Sequence, residues 1–164
     1  MISEAVVRRA EESDLKAIME IYNQGIEDRI ATLETEIKDH SYIKKWFDHH
    51  QGRFSIIVER NKIMGWASLN PYNNRCAYEG VADISVYISR DFRGKGVGGK
   101  LLSTLETKAK ENHFHKLVLF TFPFNELGQG LYKKMGYREV GVFQNQGILN
   151  GKYVDVMAME KLLK

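Results

Sequence analysis

At 164 residues, 43% hydrophobic and 27% charged, the chain is sized for one domain, residues 1–164, with its own core. A net charge of +3 without long Lys/Arg runs argues against a nucleic-acid arm, and no apolar stretch approaches the roughly 20 residues of a membrane span. The single cysteine, Cys76, excludes an internal disulfide and suits a reducing compartment, so the expected location is cytoplasmic.

In chain order, Ala5–Arg9 reads as a short strand and Ser13 or Asp14 as a helix start. Leu15, Ile18, Met19, Tyr22 and Ile26 recur on one face of that helix. Ile30–Ile37, containing Thr32, Leu33, Glu34 and Thr35, reads as a loop with a helical turn. A second helix begins near Asp39 and turns Ile43, Trp46 and Phe47 inward. Phe54–Glu59 and Ile63–Leu69 form a hairpin about Arg60, Asn61 and Lys62. Pro71–Glu79 is polar and turn-rich, and Val81–Ser89 is a β-branched, aromatic strand. After a glycine-rich loop, Val97, Leu101, Leu102, Leu105 and Ala109 mark a third helix. Lys116–Thr121 is a strand, and Asn125 opens a fourth helix that Gly136 ends. Tyr137–Gln144 and Lys152–Glu160 close the chain about Leu149, Asn150 and Gly151. The order β-α-α-β-β-β-α-β-α-β-β specifies a mixed α/β sheet.

The loop Arg93-Gly94-Lys95-Gly96-Val97-Gly98-Gly99 follows a strand and opens a helix. Glycines there let backbone N–H groups approach an anion, and the helix N-terminus adds positive potential. A P-loop needs a hydroxyl residue after Lys100, where Leu101 stands. A dinucleotide fingerprint is satisfied by Gly94, Gly96 and Gly99, but the loop begins past mid-chain, with little room for the second half of that fold. Tight helix packing is a further reading of the same glycines.

A third pattern fits Arg93–Gly98 better, and it resembles the pyrophosphate loop of the GNAT acetyl-CoA-dependent N-acetyltransferases. Asn125, then Leu131-Tyr132-Lys133-Lys134-Met135-Gly136-Tyr137, is similar to that family's second motif. Asn74-Arg75-Cys76-Ala77-Tyr78, Ser85-Val86-Tyr87-Ile88, Pro123 with Asn125, and Gly151-Lys152-Tyr153-Val154-Asp155-Val156 resemble its phosphinothricin and methionine-sulfoximine branch. The resemblance implies a mostly antiparallel sheet of about seven strands with four helices. It also implies central strands that splay around a bulge, acetyl-CoA as co-substrate, no metal, and a homodimer meeting near Gly147–Tyr153. In that family the backbone at Val86, Tyr87 and Ile88 pairs with the pantetheine arm. The backbone of Gly94–Gly99 holds the pyrophosphate, and the Asn125 amide fixes CoA.

An amine acceptor needs a base, because an α-amine is mostly ammonium at neutral pH. Asp83 is a carboxylate inside an apolar strand, on the same face as Ser85 and Tyr87. Two readings stand, a general base or an ion pair with a cation such as Arg75. The branch carries Glu at this position, so Asp83, one methylene shorter, would act through water or on a differently seated amine. Tyr132 matches the family's general-acid tyrosine and also fits a core aromatic. Arg75 and Tyr78 fall where the branch holds an amino-acid substrate, although Arg75 also reads as a solvated loop residue. Leu33 replaces an aromatic pocket residue of phosphinothricin enzymes.

Cys76 reads as a spectator thiol, and His49-His50 and His113-x-His115 lack zinc-site spacing. Trp46, Phe47 and Trp66 read as core. The competing functions are the same chemistry on a protein N-terminus or a polyamine, which Arg75 disfavours, and an acyl-CoA-binding module without catalysis.

Overall fold

The structure is a computed structural model describing residues 4–28, 32–34, 36–49 and 55–164. Ile30, Ala31, Thr35, His50 and Phe54, assigned above, lie outside the described residues. Seven strands form one mixed sheet: β1 (Val6–Arg9), β2 (Ser55–Arg60), β3 (Lys62–Pro71), β4 (Val81–Ile88), β5 (Lys116–Thr121), β6 (Arg138–Leu149) and β7 (Lys152–Leu162). Their order is β1-β2-β3-β4-β5-β7-β6. Among the described strands only β4 and β5 pair in parallel, and the connection between them carries a helix, as a parallel crossover requires.

Four helices flank the sheet: α1 (Leu15–Asp28), α2 (His40–His49), α3 (Val97–Glu111) and α4 (Glu126–Lys134). Alternation along β2, β3 and β4, interrupted by an irregularity at Val58/Glu59 opposite Met64, divides the interior into two layers. Ile56, Val58, Ala67, Leu69, Ala82 and Ile84 face α3, where Leu101, Leu102 and Leu105 are fully buried. Ile57 and Trp66 face the other way, onto Leu15, Ile18 and Ile21 of α1 and Ile43 of α2. None of the described helices is long and apolar enough to cross a membrane.

Several boundaries differ from the sequence expectation for local reasons. The first helix begins at Leu15 because Glu12–Asp14 form a 3₁₀ turn, in which Asp14 accepts the Glu11 N–H at 2.7 Å and pairs with Arg8 at 2.8 Å. β6 runs past Gln144 to Leu149. Its ladder to β7 shifts register between Phe143 and Gly147, and Asn145, at φ 50°, donates its N–H to Asp155 at 2.8 Å. A polar Asn145-Gln146-Gly147 stretch that resembles a loop is therefore an irregular part of the strand. The following turn is Asn150-Gly151, both at positive φ, as a two-residue hairpin requires.

Candidate active site

The site is a fork between the two parallel strands. β4 pairs with β5 only over Val81–Asp83 against Lys116–Val118. Beyond that, β4 stays on β3 through Ile88 and β5 stays on β7 through Thr121, so each follows its outer neighbour and the two diverge. The β3–β4 pairing shows no register shift from Gly65–Ile88 to Pro71–Ala82. The splay expected from the sequence is present, but the bulge is not part of this pairing. While the Tyr87 backbone turns to β3, parting leaves the β5-facing backbone groups of Ile84–Ile88, those of Val86 and Ile88 among them, without a strand partner. Such groups need a ligand or water. A cavity of about 180 Å³ fills the fork, with Asp83, Ser85, Tyr87, Phe120, Asn125 and Tyr132 in its wall.

Asp83 sits at the crotch. Burial raises its carboxyl pKa from 3.8 to about 6. Among the described residues no cation pairs with it, and Arg75 is exposed on its loop. The ion-pair reading therefore has no partner to offer. Directly across on β3 stands Asn70, whose Nδ2 donates to Ser85 Oγ at 2.9 Å and whose Oδ1 accepts from Ser68 Oγ at 3.0 Å.

Tyr132 faces the same cavity from α4. Burial lifts its phenol to about 12, so it keeps its proton across the physiological range. Tyr137 meets it edge-on at 6.0 Å. Asn125 is the N-cap of α4: Oδ1 accepts the Gly128 N–H at 3.1 Å and Nδ2 donates to Thr121 Oγ1 at 3.2 Å. It thus ties the end of β5 to the start of α4. A Cβ at residue 128 would lie 2.4 Å from Asn125 Nδ2, so the cap needs Gly128.

The glycine loop closes the fork's outer end. Gly94 and Gly96 have φ of 74° and 85°, left-handed values that a Cβ disfavours. The first turn of α3 has no side-chain cap, so its N–H groups are available to an anion. The Val97 side chain is buried in the core, leaving only its backbone for a ligand. A Cβ on Gly98 would approach Leu131 Cδ2 to 2.7 Å, so Gly98 also serves close packing of α3 on α4. The Arg93 guanidinium does not extend into the loop mouth. It pairs with Asp28 at 2.6 Å, and Asp28 also takes Arg90 at 2.9 Å. Lys95 leans toward the Phe92 ring, 5.9 Å from its centre.

Arg75, Tyr78 and Leu33 stand outside the wall of this cavity. Tyr78 packs edge-on against Tyr72 at 5.7 Å. Leu33 lies under Gly147 of β6, so close that a Cβ there would fall 2.5 Å from Leu33 Cδ1.

The sequence profile described as the acetyltransferase (GNAT) family matches residues 15–137. This chain belongs to that family. Among curated relatives, YwnH of Bacillus subtilis (strain 168) is 32% identical over 160 residues, covering 96% of this chain and 98% of the relative. The phosphinothricin N-acetyltransferase of Streptomyces coelicolor is 28% identical, covering 98% of each chain. The L-methionine sulfoximine/L-methionine sulfone acetyltransferase of Pseudomonas paraeruginosa is 29% identical, covering 95% and 93%. Among solved structures, a ribosomal-protein-alanine N-acetyltransferase from Brucella melitensis superposes with a TM-score of 0.92 at 28% identity, covering 96% and 99%. A phosphinothricin acetyltransferase from Sinorhizobium meliloti, solved in complex with AcCoA, gives 0.92 at 25% identity, covering 99% and 89%.

Within this GNAT fold, three residues at the site escape sequence reading. Asp28 holds the loop through Arg93 and Arg90, across more than sixty residues of chain. Asn70 reaches Ser85 only through the β3–β4 register. Trp66, read as core, also lines a second cavity described below. Each depends on long-range pairing, and no local pattern signals it.

Proposed function

We propose that the protein transfers the acetyl group of acetyl-CoA to the amine of a small amino-acid-like substrate of the phosphinothricin or methionine sulfoximine type. Asp83 is the general base and Tyr132 the general acid. The observation that carries this reading is the buried Asp83 carboxyl, with no cation on it among the described residues, poised at about 6 in the crotch of the fork.

Acetyl-CoA fits the fork on this chain's own features: unpaired strand backbone, an uncapped α3 N-terminus and glycines at left-handed φ. When bound, it supplies the acyl group as a thioester. The backbone at Val86, Tyr87 and Ile88 lines its arm, the Arg93–Gly99 loop holds its pyrophosphate and the Asn125 end of α4 borders it. The Arg93 side chain acts through Asp28, shaping the loop rather than touching phosphate. Asp83 accepts a proton from the substrate ammonium, directly or through one water. Tyr132, protonated up to about pH 12, gives a proton to the departing thiolate. Arg75, Tyr78 and Leu33 form the outer substrate contacts, with the Arg75 fork suited to a carboxylate.

The names of the relatives support an amino-acid acceptor, and acetylation of phosphinothricin would confer resistance to it. The chain acts as one domain, in the cytoplasm, as a homodimer, with neither nucleic acid nor membrane as partner. Exposed Val142, Phe143, Ile148 and Tyr153 on β6 and β7 support a subunit contact there.

Thiol release from acetyl-CoA, measured against phosphinothricin, methionine sulfoximine, methionine sulfone, common amino acids, a polyamine and an N-terminal peptide, tests this. Turnover of the amino-acid analogues, lost in Asp83→Ala near neutral pH and partly regained at high pH, is the expected result. Turnover of only the peptide or polyamine discards the acceptor class, and CoA binding without any turnover discards the catalytic reading.

A further inference from the structure

A second cavity, of about 190 Å³, lies between the α1–α2 layer and the β3–β4 pair. Tyr22, Tyr42, Trp46, Trp66, Ser85 and Tyr87 are in its wall, and Ser85 and Tyr87 belong also to the wall of the fork. The two spaces therefore adjoin. The rings hold one another: Trp66 stacks on Tyr87 at 5.0 Å, Trp46 lies 5.3 Å from Trp66, and Tyr22 meets Tyr87 edge-on at 5.0 Å. A cage fixed in this way is preorganised for an occupant.

Two of its polar groups have a proton to give: Trp66 and Ser85 offer donors, whereas the Tyr22 and Tyr87 hydroxyls are engaged with Thr32. Trp66 is 3% exposed, and its indole N–H has no hydrogen-bond partner among the described residues. Buried N–H groups are rarely left so, and one in a cavity wall calls for an acceptor that arrives with the occupant. Ser85 Oγ accepts from Asn70 Nδ2, which leaves the Ser85 O–H proton free to donate. No charged side chain is in the cavity wall. The charges beside it are the Asp83 carboxylate, two residues along β4 from Ser85, and Lys38, which sits over the Tyr42 ring at 5.0 Å and pairs with Glu34 at 2.9 Å.

We propose that this cavity receives the side chain of the amine substrate, with Trp66 as the residue that selects an uncharged, methyl-bearing oxygen acceptor, such as a sulfone or sulfoximine, over an anionic phosphinate. The inference rests on the reading of Asp83 as the amine end of the site. Asp83 and Ser85 face the same way, about 7 Å apart along β4, comparable to the reach from the amine of a methionine-like amino acid to its side-chain tip. At about 30 Å³ per water-sized group, the cavity holds roughly six such groups, the number of heavy atoms in the side chain of methionine sulfone. An anion would enter an aromatic cage whose wall holds only neutral polar groups and no counter-charge, which burial penalises.

The test is kcat/KM for methionine sulfone, methionine sulfoximine, norleucine and phosphinothricin, with wild type and Trp66→Phe side by side. Wild type should favour the sulfone and sulfoximine over both norleucine and phosphinothricin. Trp66→Phe, which keeps a ring and removes the N–H, should lower the sulfone-to-norleucine ratio by roughly three- to tenfold, the worth of one neutral hydrogen bond. An unchanged ratio, or phosphinothricin as the best wild-type substrate, overturns the proposal. If circular dichroism shows Trp66→Phe unfolded, Ser85→Ala replaces it with the same expected change in ratio. Turnover of amino acids without this discrimination sinks the cavity assignment alone, whereas no amino-acid turnover at all sinks the acceptor reading and this inference with it.

Discussion

The two faces of β4 make the instructive contrast. Ala82 and Ile84 look into a layer sealed by Leu101, Leu102 and Leu105 of α3, while Asp83, Ser85 and Tyr87 look toward α1 and α2. The first face contains only apolar side chains and no polar work to do. The second carries a carboxylate with no cation among the described residues, a hydroxyl shared with Asn70, and the aromatic cavity. The fork opens at the strand's edge on residues of both faces. Alternate residues of one eight-residue strand thus divide stability from chemistry. A strand is suited to this, because its two faces can be given different environments without changing the backbone.

Substitutions on the two faces should therefore separate activity from stability. The largest effect expected is on the polar face: Asp83→Asn should lower kcat/KM at neutral pH by about 10²–10⁴, read by thiol release. Tyr132→Phe should come next, lowering kcat by about 10²-fold with little change in KM for the amine, if the phenol acts only as the leaving thiolate departs. An equal fall in both variants on KM alone would mean that the fork binds but does not catalyse.

On the sealed face the order reverses. Leu105→Ala should cost about 2–5 kcal/mol of stability by leaving a cavity, measured by urea denaturation, while kcat per folded molecule stays near wild type. Loss of kcat in the folded variant would break the division between the faces.

The pH dependence sharpens it. With Asp83 at about 6, the rate should rise with pH through an acid limb near that value and lose the limb in Asp83→Asn. Stability runs the opposite way. The folded state holds this proton more tightly than the unfolded chain, so the cost of burying Asp83 is absent below about pH 4 and complete above about pH 6. Asp83→Asn should accordingly unfold at higher denaturant than wild type at pH 8, by about 1–3 kcal/mol, with the difference vanishing near pH 4. A destabilised variant at pH 8 would show that the carboxylate has a partner in solution. The smallest effect expected is at the loop: Asp28→Ala should raise the KM for acetyl-CoA several-fold, since it frees Arg93 and Arg90 without removing a phosphate donor.

Local chemistry determined much of this protein from sequence alone. Apolar periodicity placed the first three helices, glycines marked the loop before α3, and Asn125 and Gly136 bounded α4. Asp83 stood out because a lone carboxylate in a run of Val, Ala, Ile and Tyr conflicts with its neighbours, and such a conflict is visible in one dimension. The Asn145–Gly147 stretch was not legible, since its strand character comes from β7 and Asp155 rather than from its own propensity. Nor was the absence of a cation at Asp83, the employment of Arg93 by Asp28, or the unsatisfied indole of Trp66 beside Ser85. Those depend on which segments meet across the sheet and how far β4 and β5 run together before parting. Only the folded chain decides that, because a side chain's protonation and partners are set by what surrounds it in space, and residues such as Asp28 and Arg93 become neighbours only when the sheet and helices pack.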